Sequence, residues 1–162
     1  MKILKGEEFE KALNYIKMSG DVAKSSSCER VKGGSVIVKD GEIIGRGFNS
    51  PPGNIENQKR CLNSKKDYDA KVTDKTCCIH AEERAMFDAL RNNSEKIPGS
   101  RIYFTRLGSN GEIEFSKEPY CTICSKMALD LGIKEFVLYH EKGICSYGLE
   151  EYNELSFNYL PK

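Results

Sequence analysis

Arg101-Ile102-Tyr103-Phe104-Thr105, then Cys121-Thr122-Ile123-Cys124 opening a segment that runs to Leu131, then Glu135-Phe136-Val137-Leu138-Tyr139: the reading of 101–139 decides the fold. The outer runs are short and rich in β-branched and aromatic residues, as strands are. Between them Ile123, Met127 and Leu131 recur at helical spacing, and Gly132 stands where a left-handed C′ residue belongs. Strand, helix and strand in this order make a β-α-β unit, normally parallel and right-handed.

The flanking chain extends this unit. Phe9, Ala12, Leu13 and Ile16 fall at i, i+3, i+4 and i+7, which predicts an amphipathic helix over 7–19 ending near Gly20. Ser35–Lys39 and Glu42–Phe48 flank Asp40-Gly41, a hairpin signal because a type I′ turn needs positive φ at both central positions. A second helical pattern starts at His80, with Ala81, Ala85 and Ala89 as a small-residue stripe and Met86 and Leu90 beside it. Asn92-Asn93 and Pro98-Gly99 end it, and Leu149–Leu155 reads as one more helix. Helices then cover both faces of a mixed sheet, an α/β architecture.

The 162 residues suit one domain, and hydrophobic and charged shares of 39% and 30% are those of an ordinary globular chain. A chain of this length buries about two-thirds of its unfolded surface and needs no staples. No apolar run approaches the roughly 20 residues that cross a bilayer, and Met1–Glu7 does not read as a signal peptide. No membrane association is therefore expected. Twenty-five basic against 24 acidic residues give a net charge of +1, which disfavours nucleic acid as a partner.

Seven cysteines stand out: Cys28, Cys61, Cys77, Cys78, Cys121, Cys124 and Cys145. An odd number without a secretory signal argues against a disulfide framework and for a reducing, cytoplasmic setting. Buried packing and metal ligation are the two remaining roles. Cys145 has no partner nearby and reads as core. Cys121-x-x-Cys124 suits zinc, because residues three apart share a helix face, although alone it is equally a redox dithiol.

His80-Ala81-Glu82 supplies what Cys121 and Cys124 lack. One imidazole and two thiolates leave a tetrahedral zinc one open position for water, the arrangement of catalytic rather than structural sites. Such a zinc lowers the water's pKa toward about 7. Residues i and i+2 point to nearly opposite sides in mid-helix, so His80 and Glu82 converge only if the first helical turn meets the metal end-on. The positive ends of two helix dipoles would then favour thiolates and hydroxide. Glu82 is placed to take a proton from the water and hand it to a leaving group.

This H-x-E…C-x-x-C signature resembles that of the cytidine and deoxycytidylate deaminase superfamily, over most of 7–140. The run from Cys28 through Val31-Lys32-Gly33-Gly34-Ser35-Val36-Ile37-Val38-Lys39-Asp40-Gly41 to Gly45-Arg46-Gly47-Phe48-Asn49-Ser50-Pro51 is similar to the deoxycytidylate branch, as is Gly132-Ile133-Lys134-Glu135-Phe136-Val137. The resemblance implies a three-layer α/β/α sandwich with a mixed five-stranded sheet, forming one deaminase domain over 1–162. It implies hydrolytic deamination at C4 of a cytosine nucleotide resembling dCMP, giving the uracil form and ammonia. His80, Cys121 and Cys124 would hold the catalytic zinc, Glu82 would move protons, and Asn49 would contact the substrate's sugar. A homo-oligomer with a small-molecule substrate, acting in nucleotide metabolism, also follows.

Three departures sit where substrates differ. Tyr120 separates Pro119 from Cys121, Arg84 replaces the usual asparagine of H-A-E-x-N-A, and the connector holding Ser109-Asn110-Gly111-Glu112 is long. Other bases (tRNA adenosine, guanine, a free nucleoside) therefore stay open as substrates. A non-catalytic zinc module also stays open, though it has no use for Glu82.

Residues 50–79 open with Pro51-Pro52-Gly53 and turn Lys-rich, an insertion long enough to need tying down. The resemblance offers a second, structural zinc on Cys28, Cys61 and one of Cys77 or Cys78; packed thiols are the alternative. Lys59, Arg60, Lys65 and Lys66 read either as a solvated face or as an attraction for phosphate. Asn49 before Ser50-Pro51 reads equally as a turn residue.

Overall fold

The computed structural model describes residues 1–72 and 74–160. Its sheet runs in the order β1 (Lys2–Ile3), β7 (Gly143–Gly148), β6 (Glu135–His140), β4 (Arg101–Leu107), β2 (Lys32–Lys39), β3 (Glu42–Phe48), with β5 (Ile113–Glu114) paired to β4. β4 and β6 pair in parallel, as the β-α-β reading requires, and the remaining pairs are antiparallel. The five longer strands form the mixed sheet expected. β1 and β5 extend it to seven, each of two residues and too short to leave a periodic pattern.

Helix α1 (Gly6–Ala23) covers one face, with Ala12 and Ile16 against Val36, Val38, Tyr103, Val137 and Ile144. Helices α2 (Ala81–Asn92), α3 (Thr122–Asp130) and α4 (Leu149–Phe157) lie over the other, where Ala85, Met86, Ala89, Ala128 and Tyr152 meet Ile37, Ile44, Ile102 and Phe136. Tyr152 stacks on Phe136 with centroids 4.0 Å apart. Three layers result, and Cys145 is fully buried among them, as read from the sequence.

The Asp40-Gly41 turn has φ of 49° and 85°, the positive pair of a type I′ hairpin. The alanine stripe of α2 has its counterpart in β3. A Cβ on Gly45 would lie 2.4 Å from the Ala85 carbonyl oxygen, and one on Gly47 2.3 Å from that of Ala81. Glycine against alanine brings α2 down onto the sheet, which fixes where its N-terminus sits.

Three details depart from the sequence reading. α1 runs past Gly20 to Ala23, because Gly20 faces the sheet layer with Ile113 3.2 Å from where its Cβ would stand; packing overrides glycine's weak helix propensity. Leu90 and Ile123, which mark the apolar periodicity of their helices, are each 42% exposed. The buried face of α3 is instead Cys124, Ser125 and Ala128. β7 went unread because Gly-Ile-Cys-Ser-Tyr-Gly has weak strand propensity, yet it pairs along all of β6. As read from the sequence, 50–79 is a long loop: among its described residues it holds three short 3-10 turns, and its ends are joined by a bridge in which the Ile79 amide donates to the Ser50 carbonyl at 3.0 Å.

Candidate active site

His80 caps α2 in extended backbone, and its amide donates to the Glu83 carboxylate at 2.8 Å, half of a capping box. Cys121 caps α3, its sulfur accepting from the Cys124 amide at 3.4 Å. Both helices therefore end on one point, the end-on geometry that convergence demanded. His80 Nδ1 lies 3.2 Å from Cys124 Sγ and 3.3 Å from Cys121 Sγ, and the two sulfurs are 3.1 Å apart.

The donor set fits zinc. Bonds of about 2.3 Å to sulfur and 2.0–2.1 Å to nitrogen in a tetrahedral arrangement accommodate these three atoms around one ion once they spread by up to about 0.7 Å. The protonation states agree. Its hydrogen bond with Cys124 and the adjoining His80 ring pull the Cys121 thiol down to about 4. The hydrogen bond with Cys121 pushes His80 up to about 9. An anionic sulfur is already held at this point, and coordination displaces the protons held by its two neighbours.

Glu82 occupies the first turn of α2 and is 7% exposed. Burial pushes its carboxyl up to about 7, against the pull of the His80 charge. It lines a cavity of about 170 Å³ together with His80, Cys121, Asn49, Phe104 and Tyr120.

Asn49 reaches this cavity but is engaged on three sides. Its Oδ1 accepts from the Gly33 amide at 2.7 Å and the Ser26 hydroxyl at 2.6 Å, and its Nδ2 donates to the Val31 carbonyl at 2.9 Å. The residue shapes the turn after β3 and lines the cavity.

A second group of donors, Cys28, Cys61 and Cys78, has all its sulfurs within 4.8 Å of one another. Cys77 stands 3.4 Å from Cys61 but outside that mutual set. Burial pushes the Cys78 thiol strongly upward. Of the basic residues nearby, Arg60 donates to the Asp74 and Thr76 carbonyls with its guanidinium 4.6 Å above the Tyr68 ring, and Lys59 pairs with Glu56 at 2.5 Å. These two hold the loop rather than present free charge. Arg84 donates to the Pro51 carbonyl at 2.8 Å and so ties α2 to the loop's entrance.

Sequence reasoning missed Ser26, Arg106, Ser116 and Lys117, of which the last three line the cavity. For Arg106 a signal existed: it follows Ile102 and Phe104 at strand period, on the face that carries the helix N-termini.

A three-layer α/β sheet carrying a histidine and two cysteines at two helix N-termini, with a buried carboxyl alongside, defines the class of zinc-binding deaminase domains. Residues 9–140 match the family model described as the cytidine and deoxycytidylate deaminase zinc-binding region, and the chain belongs to that family. It is 31% identical over 131 residues to a deoxycytidylate deaminase of Schizosaccharomyces pombe, covering 78% of this chain but only 35% of that protein. It is 28% identical over 130 residues to a deoxycytidylate deaminase of Mycobacterium phage D29, covering 76% and 89%. The dCMP deaminase of cyanophage S-TIM5, solved in complex with dCMP and dUMP, superposes with a TM-score of 0.56 at 25% identity over 82% of each chain. The chain thus spans about a third of the fission-yeast relative's length and most of each phage relative.

Proposed function

We propose that this chain is a zinc-dependent hydrolase that deaminates a dCMP-like cytosine nucleotide to its uracil form, releasing ammonia. The observation that carries the reading is Glu82: a buried carboxyl in the same cavity as three metal-donor atoms, where a structural zinc would have no use for it. Relatives of 28–31% identity that are deoxycytidylate deaminases supply the substrate class.

His80, Cys121 and Cys124 would hold the zinc. Bound there, zinc supplies Lewis acidity that makes water nucleophilic near neutral pH. Glu82 accepts one proton of the attacking water and passes it to ring N3, then carries the second, from the new C4 hydroxyl, to the amino group as the C4–N bond breaks and ammonia leaves. Its raised pKa falls back when a dication stands beside it, so the loaded site holds the ionised, proton-accepting form. Asn49 keeps one amide hydrogen beyond its bond to Val31, and that donor serves the substrate's sugar. Cys28, Cys61 and Cys78 would take a second, structural zinc that fastens the 50–79 loop to the start of β2.

The sheet runs unbroken from residue 2 to residue 148, which supports a single deaminase domain over 1–162 with 50–79 as an insertion. Exposed Phe87 and Leu90 on α2 with Ile123 and Leu129 on α3 suit a homo-oligomer, which sedimentation velocity tests. No described helix is long and apolar enough to cross a membrane, and seven free thiols suit the reducing cytoplasm.

The deciding experiment is ammonia release from dCMP, CMP, dCTP, cytidine, cytosine, guanine and an RNA hairpin. Turnover of dCMP is expected, with Glu82→Ala keeping its zinc and losing at least about 100-fold in rate. Turnover confined to guanine or RNA, or a fully active Glu82→Ala, overturns the reading.

A further inference from the structure

The long connector between β4 and α3 encloses polar groups that the deamination machinery does not use. Arg106 stands on β4 opposite Gly33 of β2, whose amide is the one held by Asn49. Gly33 and Arg106 both line the cavity, with the Phe104 ring 3.1 Å from where a Gly33 Cβ would stand. On its other side Arg106 faces Glu114 of β5, and its Nη2 pairs with that carboxylate at 2.7 Å. Two buried polar atoms beside the cavity have no partner among the described residues: Arg106 Nε and Ser116 Oγ. Lys117 lines the same cavity, is exposed, and forms no ion pair among the described residues.

A guanidinium N–H, a hydroxyl and an ammonium lining one cavity are donors without acceptors, the complement of an anion with several oxygens. Glu82, His80 and Cys121 line the same cavity, so an anion held by these donors shares it with the reacting centre. We propose that Arg106, assisted by Ser116 and Lys117, is the specificity-determining group for the phosphate of a nucleotide substrate, and that phosphate takes the place Glu114 holds on Arg106. The inference deepens the nucleotide-deaminase reading and rests on it for the rest of the ligand. It also gives the extended connector a purpose: β5 carries a carboxylate that occupies the guanidinium until phosphate arrives.

The test titrates the zinc-loaded chain by calorimetry with dUMP and with deoxyuridine, products that bind without turnover. The wild type should prefer dUMP at least about tenfold, as a charge-assisted bond allows, and Arg106→Gln should erase that preference. Glu114→Gln should tighten dUMP severalfold with no matching gain for deoxyuridine, a direction that a merely structural role for the pair does not produce. Zinc content and circular dichroism check that each variant is folded, and Glu114→Gln keeps the test decisive if Arg106→Gln is not. Equal affinities in the wild type, a preference that survives Arg106→Gln, or no gain in Glu114→Gln overturns the proposal. Ammonia release from dCMP is read separately. A chain that prefers dUMP yet releases no ammonia sinks the deaminase reading alone, and one that deaminates dCMP without phosphate preference sinks the role of Arg106 alone.

Discussion

The side-chain oxygen of Asn49 accepts the backbone N–H of Gly33 at 2.7 Å, joining the end of β3 to the start of β2 beside the cavity. The same oxygen takes the Ser26 hydroxyl, so one side chain anchors three segments. Asn49→Ala leaves the Gly33 amide and the Ser26 hydroxyl short of an acceptor. It should cost about 1–3 kcal/mol in urea unfolding, the range for buried donors left unpaired. Asn49→Asp keeps the acceptor but sets a carboxylate against the Val31 carbonyl, and should fall between wild type and alanine. A change under about 0.5 kcal/mol for Asn49→Ala, the scatter of ordinary surface substitutions, would show that the tie carries no weight.

Gly47 meets α2 one turn from the metal donors. A methyl there would sit 2.3 Å from both the Ala81 carbonyl oxygen and the Ala85 amide nitrogen, backbone atoms that cannot swing aside. Gly47→Ala should destabilise by about 1–3 kcal/mol or more and should weaken zinc binding, because relief requires α2 to lift and carry His80 with it. Gly41→Ala is the control. It meets nothing within 4 Å but has φ of 85°, so it should cost about 1 kcal/mol and leave zinc affinity as it was. Equal zinc affinity in both variants would mean that the helix position is not what sets the ligand.

These two sites also show which information was local in the sequence. The Asp40-Gly41 turn, the Cys121-x-x-Cys124 spacing and the placement of His80 and Glu82 at a helix start are set by neighbours along the chain, and they stand where the sequence put them. The choice between Cys77 and Cys78 was not legible, because adjacent side chains in an irregular loop are aimed by the whole loop. Nor was the continuation of α1 through Gly20, which depends on Ile113 more than ninety residues away. Arg106 lay in plain alternation with Phe104, but its partner Glu114 sits on a two-residue strand that no periodicity reveals.

His140 links β6 to the connector and gives the fold a dependence on pH. Its Nδ1 bonds the Ser116 carbonyl at 3.0 Å and its Nε2 the Tyr147 hydroxyl at 2.8 Å, so the neutral ring donates to the carbonyl and accepts from the phenol. Burial holds its pKa below the ordinary 6.5. The unfolded chain therefore binds this proton more readily than the folded one. The ring's contribution to stability is whole above pH 6.5 and is lost as pH falls from there through the folded value. Urea midpoints should drop between about pH 7 and pH 5. His140→Gln, which does not titrate, should flatten that drop while lowering stability at pH 7.5. An unchanged slope in the variant would assign the acid sensitivity to other groups.

Cys28, Cys61 and Cys78 come from three places, the segment between α1 and β2, the interior of the 50–79 loop and the end of that loop, so an ion among them would close a long loop at low entropic cost. Zinc by mass spectrometry or dye release should therefore be near two per chain. Cys78→Ser should reduce it to near one, because its sulfur belongs to the mutual set. Cys77→Ser should leave two, because Cys77 Sγ touches Cys61 at 3.4 Å but does not reach all the others. The metal binds only the folded arrangement, so Cys78→Ser should also lower the melting temperature, and the difference between the variants should vanish after dialysis against a chelator that strips the second ion. One zinc per chain in the wild type, or loss of an ion in Cys77→Ser rather than Cys78→Ser, would show that the three thiols are packed and not ligated.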